Sequence, residues 1–226
     1  MKGKKKGTLY MLSYHLGEDK DTPPRTLELL KEGKLLVFEE AKVARKALKQ
    51  AGITKQFLLY NEHKQQDSLV RVKETLKAGE SVCYMSDQGS PNLCDPGQNL
   101  TKCAFELEAP VRVIPGPSSL IAAMSACPFP INGFIFTGLL PRKKEERLRN
   151  LKRYAQLKQP IITLDAPYRR EALLEACEDL FGKRKSVFLA LDISGEFETY
   201  FCGMVSKIRE KTKEIGKLNF ILIISS

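Results

Sequence analysis

The chain has 226 residues, of which 42% are hydrophobic and 28% charged, and its 37 basic and 27 acidic residues give a net charge of +10. This composition is ordinary for a soluble globular protein, and the length allows one large domain or two small ones, each with its own core. No apolar run reaches the roughly 18 residues that a membrane span needs, six scattered cysteines without a C-x-x-C pair favour reduced thiols over disulfides or zinc, and two distant histidines, His15 and His63, exclude a histidine-based metal site.

Apolar, β-rich runs alternate with helical patterns through the first part of the chain. The predicted strands are GTLYMLSY, LLVFEE, QFLLY, SVCYM and VRVIP. The predicted helices are PPRTLELLKEG, AKVARKALKQAG, DSLVRVKETLKAG, QNLTKCAFELE and PSSLIAAMSAC. This alternation predicts a mostly parallel sheet with helices on both faces.

The alternation pauses at CPFPINGF, where two prolines and a glycine indicate a linker. Beyond it we predict the strands FIFTGLL, PIITLDA, SVFLALDI, ETYFCGMV and NFILIIS, with helices between most of them. Two of these strands lie on either side of Gly195, close enough to form a hairpin, so this sheet is expected to be mixed. We therefore predict an N-terminal α/β domain over residues 1–130 and a C-terminal α/β domain over 131–226.

Two loops follow predicted neighbouring strands and are rich in glycine, proline and serine. SDQGSPNLCDPG follows SVCYM, and IPGPSSLIAA ends the strand VRVIP. Ligands of open α/β sheets lie outside the carboxyl ends of the strands, where these loops are expected. Each loop is either part of a ligand site or a tight turn with an ordinary helix cap. The phosphate-loop, G-x-G-x-x-G and G-x-S-x-G motifs are absent.

Basic residues cluster in four stretches: MKGKKK, PRKKEERLRNLKR, APYRR and GKRK. A positive field of this size favours a polyanionic partner, with RNA the natural candidate, although a solvated surface explains the same charges. The residues that we expect to contact RNA phosphates are Arg142, Lys143, Lys144 and Arg169. The basic N-terminus lacks the apolar segment of a secretion signal, so we expect a solvated tail and a cytoplasmic protein.

Most of the chain resembles the tetrapyrrole-methylase-type methyltransferases that use S-adenosylmethionine, and especially the bacterial 16S rRNA ribose 2′-O-methyltransferases. The similarity is carried by GTLYML, GEDKDTPPRTLELLK, EHKQ, SDQGSPNLCDPG, VIPGPSSLIAAMSA, FTGLLPRKKEER and DAPYRR. The patterns SDxGxPxxxDPG and PGPSxLIAA are long and specific. The resemblance implies the two-domain tetrapyrrole-methylase fold, with the S-adenosylmethionine cleft between the domains, and a homodimer.

The resemblance also implies which residues border the cofactor. From the two glycine-rich loops they are Asp87, Gln88, Gly89, Ser90, Pro115, Gly116, Ser118 and Ser119. From later strand ends they are Leu164, Ala190 and Leu191.

Methyl transfer from a sulfonium depends mainly on positioning and desolvation, but a ribose hydroxyl is a weak acid, so a base would help. The candidate bases, all predicted at strand ends or in loops, are Asp87, Glu39, Glu62 and Asp165. Each is equally explained as a helix cap or ion-pair partner. We expect no metal.

The chain departs from the family pattern on the substrate side. The first loop usually reads A-T-P-I-G-N in the rRNA enzymes, whereas here it contains His15 and Glu18. The late segment that reads R-E-L-T-K in those enzymes corresponds to Leu191–Gly195 here, so two cations are lost. Three hypotheses remain: an rRNA ribose methyltransferase with altered substrate contacts, a methyltransferase of this fold acting on another RNA or a small molecule, or a non-catalytic RNA- or ribosome-binding relative.

Overall fold

The computed structural model describes residues 6–61, 65–94 and 97–226. The chain divides into two compact units, Met1–Ser118 and Ser119–Ser226. The division precedes the boundary that the sequence predicts at residue 130, because helix α5 (Ser119–Ala126) contacts strand β10 (Phe220–Ile224) of the second unit.

The first unit contains a five-stranded sheet in the order β3-β2-β4-β1-β5, with every neighbouring pair parallel. Its strands are β1 (Leu9–Leu12), β2 (Leu35–Phe38), β3 (Leu58–Leu59), β4 (Val82–Met85) and β5 (Val111–Ile114). Its helices are α1 (Pro24–Glu32), α2 (Ala41–Gln50), α3 (Gln65–Lys77) and α4 (Gln98–Glu106), with a short 3-10 helix at Asp19–Asp21. The predicted mostly parallel sheet is confirmed.

Helices cover both faces of this sheet, as a parallel sheet requires. Alternate residues of β4 show the two sides: Cys83 and Met85 pack with α1 and α2, whereas Val82 and Tyr84 pack with α3 and α4. All four residues of β4 are buried. Burial on both faces explains why the strand has an unbroken apolar sequence instead of an alternating one.

The second unit contains a mixed sheet in the order β6-β7-β10-β8-β9. Its remaining strands are β6 (Ile135–Phe136), β7 (Ile161–Asp165), β8 (Ser186–Leu191) and β9 (Thr199–Met204). Its remaining helices are α6 (Lys144–Ala155), α7 (Arg170–Phe181) and α8 (Val205–Thr212), with a 3-10 turn at Pro167–Arg169. Only β6 and β7 pair in parallel, and β8 and β9 form the expected antiparallel hairpin.

One apolar cluster forms the core of the second unit. Leu151 of α6, Leu173 of α7 and Ile208 of α8 pack against the β8 and β10 side chains on one face of the sheet. Helix α7 ends at Gly182, whose φ of 84° is a left-handed conformation that glycine adopts without steric cost.

Candidate functional site

The loops that the sequence predicts to bind a ligand leave the same edge of the first sheet. Leu12 at the end of β1 pairs with Met85 of β4 on one side and Ile114 of β5 on the other. The three strands are parallel, so the segments after them emerge side by side. This edge therefore brings together Ser13, the loop 86–94 and the loop 115–118.

Hydrogen bonds join these three segments. The hydroxyl oxygens of Ser13 and Ser90 lie 3.1 Å apart, and the Ser90 hydroxyl donates to the Pro117 carbonyl at 3.3 Å. The Tyr14 N–H donates to the Gly89 carbonyl at 2.9 Å. The segments after β1, β4 and β5 thus form one connected surface.

Two glycines are required where these segments approach one another. A Cβ atom on Gly116 would lie 2.7 Å from both the Cβ of Ser13 and the Cγ of Pro23, closer than real Cβ contacts allow. Gly89 has a φ of 65°, a left-handed conformation that is unfavourable for residues with a side chain. Gly116 is exposed at the edge, whereas Gly89 is buried, with its backbone bonded to Tyr14 and His15.

Carboxylates gather at the ends of β2 and β4, which are neighbours in the sheet. The Glu40 N–H donates to Oδ1 of Asp87 at 3.2 Å, and the Tyr84 hydroxyl donates to Glu39 at 2.6 Å. Burial raises the pKa of Asp87, the charge of Glu40 raises it further, and the bond from the Glu40 N–H opposes both. Asp87 thus sits where a cationic ligand would stabilise its ionised form.

The loop after β1 contains a cluster that sequence analysis noted only as a departure from the family. The amine of Lys46 lies 2.6 Å from Oδ1 of Asp19, and Nε2 of His15 lies 3.1 Å from the same oxygen. Burial, and then the charge of Lys46, lower the pKa of His15, so its imidazole is neutral at pH 7. His15 is 5% exposed, and its Nδ1 has no partner within the described residues.

Ser13 and Lys46 are site residues that sequence reasoning missed. The position of Ser13 directly after a central parallel strand was a usable signal. Lys46 gave none, because it lies in the middle of α2 and reaches the loop only through folding.

The cofactor residues predicted in the first unit all lie at this edge: Asp87, Gln88, Gly89, Ser90, Pro115, Gly116 and Ser118. The Gln88 side-chain amide donates to the Leu16 carbonyl at 2.7 Å, which joins the β4 loop to the β1 loop again.

The other four predicted cofactor residues belong to the second unit, where Ser119 is the first residue of α5. Leu164 and Ala190 both pair with Ile221 of β10 and so lie on one face of that sheet. Leu191 points to the opposite face, and its side chain packs in the core of the unit.

Asp165 and Arg169 form a buried pair in the second unit. Their side chains are 1% and 11% exposed, with 2.9 Å between the carboxylate and the guanidinium. Arg169 also donates to the carbonyls of Leu140 and Pro141 at 2.8 and 2.7 Å. Burial raises the pKa of Asp165, while the Ala166 N–H and Arg169 oppose the rise. Arg169 thus holds the segment before α6 and pairs with Asp165, which leaves both side chains less available for catalysis or RNA contact.

The other predicted RNA contacts differ from one another. Arg142 and Lys143 are exposed, whereas the amine of Lys144 lies 2.9 Å from both Glu175 and Asp179 of α7. The fourth candidate base, Glu62, lies outside the described residues.

The segment Leu191–Gly195, where the family pattern has two further cations, is a tight turn. Oδ2 of Asp192 accepts a bond from the Phe197 N–H at 2.9 Å. A Cβ atom on Gly195 would lie 2.4 Å from the Asp192 carboxylate, so a larger residue there would displace that side chain.

Over the described residues, no group of three or more His, Cys, Asp or Glu side chains is arranged to hold a metal ion. Within the same residues, no helix is long and apolar enough to cross a membrane.

Proteins of known name match nearly the whole chain. "Ribosomal RNA small subunit methyltransferase I" of Thermotoga maritima is 31% identical over 219 residues, covering 96% of this chain and 98% of that protein. The protein of the same name from Pseudomonas aeruginosa is 33% identical over 193 residues, covering 85% of this chain and 68% of that protein.

Solved structures share the fold at low identity. Diphthine synthase superimposes with a TM-score of 0.75 at 14% identity, covering 97% of this chain and 90% of that one. Uroporphyrin-III C-methyltransferase from Thermus thermophilus, in complex with S-adenosyl homocysteine, gives 0.67 at 17% identity, covering 96% and 97%.

The family model described as Tetrapyrrole (Corrin/Porphyrin) Methylases matches residues 8–208, which include the first sheet, both glycine-rich loops and every strand of the second sheet except β10. The chain therefore belongs to the tetrapyrrole methylase family and is a methyltransferase that uses S-adenosylmethionine.

Proposed function

We propose that this methyltransferase binds S-adenosylmethionine at the carboxyl edge of its first sheet and methylates a ribose 2′-hydroxyl of small-subunit ribosomal RNA. The observation that carries the cofactor site is the meeting of the SDQGSP and PGPSS loops beside the half-buried carboxylate of Asp87. The substrate is inferred from the names of relatives that align over nearly the full chain.

The residues at this edge suit the chemistry of the cofactor. S-adenosylmethionine carries a sulfonium and an ammonium, and the carboxylates of Asp87 and Glu40 give the edge negative charge. The exposed Gly116 has no side chain that would keep a ligand away from the backbone, and the left-handed Gly89 lets the β4 loop turn against the β1 loop. The hydroxyls of Ser90 and Ser118 add polar groups in a largely apolar sheet edge. The family resemblance supports Ser119, Leu164, Ala190 and Leu191 of the second unit as further cofactor contacts in this proposal.

The bound cofactor supplies a methyl group on a good leaving group, so the chain's own residues need to position the acceptor and remove its proton. Among the candidate bases, Asp87 and Glu39 belong to the first-sheet edge, and the Tyr84 hydroxyl already holds the Glu39 carboxylate in place. The Asp165 side chain is only 1% exposed and pairs with Arg169, which leaves it little access to a substrate hydroxyl. We therefore propose Asp87 and Glu39 as the bases to test first.

RNA contact is proposed for Arg142 and Lys143, which are exposed before α6. Lys144 and Arg169, the other two predicted contacts, are held in ion pairs, so we do not include them in this proposal. A ribosomal substrate implies action in the cytoplasm. The family resemblance implies a homodimer, and sedimentation equilibrium would measure its mass.

A second candidate is a methyltransferase of this fold with a different substrate. The segment Leu191–Gly195 favours it, because Leu191 and Gly195 stand where the rRNA enzymes are expected to carry two cations. The loss of two positive charges weakens a phosphate contact there.

The decisive experiment follows tritiated methyl transfer from S-adenosylmethionine to small ribosomal subunits that lack the modification, after calorimetric titration of the cofactor. We expect micromolar cofactor binding and methyl incorporation into the RNA at a 2′-oxygen. Cofactor binding without transfer to RNA would move the conclusion to the second candidate. A folded chain that binds no cofactor would contradict the proposed site.

A further inference from the structure

The solvent-exposed side of α6 carries cations that have no acidic partner among the residues described. Arg149, Lys152 and Arg153 are exposed, and a spacing of three and four residues puts them on one side of the helix. Arg142, just before the helix, is exposed as well. The guanidinium of Arg153 lies 5.2 Å from the ring centre of Tyr154, a contact that leaves its charge available.

Two other cations of the same basic stretch face the rest of the unit. The exposed Lys144 pairs with Glu175 and Asp179 of α7, and Arg147 is 5% exposed. The Arg147 guanidinium donates to the Arg142 carbonyl at 3.0 Å. Helix α6 thus divides the cations of the stretch into an inward set, Lys144 and Arg147, whose charges are engaged within the unit, and an outward set that is free to bind.

Acidic residues on the outward side do not cancel its charge. Glu145 and Glu146 lie in the first turn, where the helix dipole favours acids, and the amine of Lys143 lies 3.7 Å from Glu146. The charges of Lys143 and Glu146 offset each other. Within the described stretch 142–153, that leaves Glu145 as the one acidic residue near the four exposed cations Arg142, Arg149, Lys152 and Arg153.

We propose that Arg142, Arg149, Lys152 and Arg153, the α6 basic face, bind the phosphate backbone of the RNA substrate. This inference rests on the proposed function and names the surface through which it holds RNA. When an exposed cation without a partner binds a phosphate, only counterions are displaced. Lys144 would first have to break its ion pairs with two carboxylates. Arginine adds bidentate contacts, and such contacts position the RNA without reading its sequence.

An acidic membrane surface is the other polyanion to consider, and the packing of α6 disfavours it. A helix that lies in a membrane interface buries its apolar side in lipid. The apolar side of α6 is already used, because Leu151 is fully buried in the core and Leu148 and Tyr154 pack against that core. The outward side therefore offers charge for a hydrated phosphate chain.

The test measures how RNA affinity of the full chain depends on salt. The probe is an unmodified small-subunit rRNA transcript, titrated by fluorescence anisotropy between about 50 and 200 mM KCl. Each contact with single-stranded phosphate contributes about 0.7 to the slope of log affinity against log salt. We expect the combined variant Arg149→Gln, Lys152→Gln, Arg153→Gln to reduce the slope by about 2. Under saturating RNA its kcat for methyl transfer is expected to stay unchanged while KM rises.

Lys144→Gln is the matched control, because it removes one cation from the same stretch but from the inward set. We expect its salt slope to equal that of the unmodified chain. An unchanged slope in the combined variant, or an equal loss in Lys144→Gln, would overturn the α6 basic face and leave the RNA substrate standing. If the unmodified chain does not bind the transcript, or prefers vesicles containing phosphatidylserine, both the face and the RNA substrate are wrong, whereas cofactor binding by calorimetry is unaffected.

Discussion

Asp87 shows at the scale of one residue how the proposed cofactor site reduces the stability of the fold that holds it. Its carboxyl is half-buried next to Glu40, and both conditions raise its pKa. The folded protein therefore favours the protonated form, so the stabilising contribution is present at low pH and is lost as pH rises through the pKa of the folded state. At neutral pH the charged carboxylate is tolerated because a cation is expected beside it.

Asp87→Asn should separate stability from binding. The amide keeps an acceptor for the Glu40 N–H and removes the buried charge, so we expect a higher melting temperature at pH 7. We expect S-adenosylmethionine affinity to fall by about tenfold or more, as for the loss of a charged hydrogen bond. Differential scanning calorimetry measures the melting temperature, and isothermal titration calorimetry measures the cofactor affinity.

The pH dependence provides a further check on Asp87. In the unmodified chain, cofactor affinity should rise with pH through the raised pKa of Asp87, and the variant should lose that rise. Glu74→Gln, which removes an exposed carboxylate from α3, is the control and should change neither property. Equal affinities for Asp87→Asn and the unmodified chain would remove Asp87 from the site.

His15 offers a second measurement at this scale, because the chain has only two histidines. Its pKa is lowered from 6.5 by burial and by Lys46, while Asp19, Asp21 and Glu18 oppose the shift. Its stabilising contribution is therefore present above pH 6.5 and is lost as pH falls through the pKa of the folded state.

Lys46→Met should raise the pKa of His15, since it removes the cation nearest to Nε2 and leaves Asp19 in place. The proton shift of the imidazole in an NMR titration reports the change, and Lys49→Met on the same helix is the control. A pKa that stays the same or falls would show that burial alone sets the state of His15.

At the scale of elements, the segment between β6 and α6 is held by side chains from elsewhere. Arg169 donates to the carbonyls of Leu140 and Pro141, and Arg147 donates to that of Arg142. Because buried carbonyls need partners, this short segment acquires a defined shape without forming a helix or strand. The backbone of Arg142 is therefore held in place where its side chain joins the α6 basic face.

Arg169→Met should loosen this segment. It leaves the buried Asp165 carboxylate unpaired, which we expect to lower the free energy of unfolding by about 3 kcal/mol. Amide exchange at Leu140 and Arg142 should accelerate more than exchange in β8. Adding Asp165→Asn to Arg169→Met should restore part of the stability, because it removes the unpaired charge, but should not restore the exchange protection. Full exchange protection in Arg169→Met would contradict the role of Arg169 in holding the segment. Chemical denaturation and hydrogen exchange provide the two measurements.

At the scale of the whole chain, the periodicity of the sequence predicted the elements well. The alternation of apolar runs and helical patterns located the strands and helices of both sheets, and the fully buried β4 and β10 match their unbroken apolar sequences. Local patterns succeed here because each strand must bury its own side chains. The order of strands in the sheets could not be read in the same way, since it depends on pairing between distant segments.

The sequence by itself determined the family, the two glycine-rich loops and the basic stretch around α6, because these are properties of residue type and spacing. Only the tertiary structure decided that Ser13 meets Ser90, that Lys46 reaches Asp19, and which basic side chains are free. Lys144 and Arg149 look alike along the chain, yet only Lys144 finds carboxylates, on a helix about thirty residues away. The availability of a charge depends on what folding places beside it, and that is a property of the packed chain.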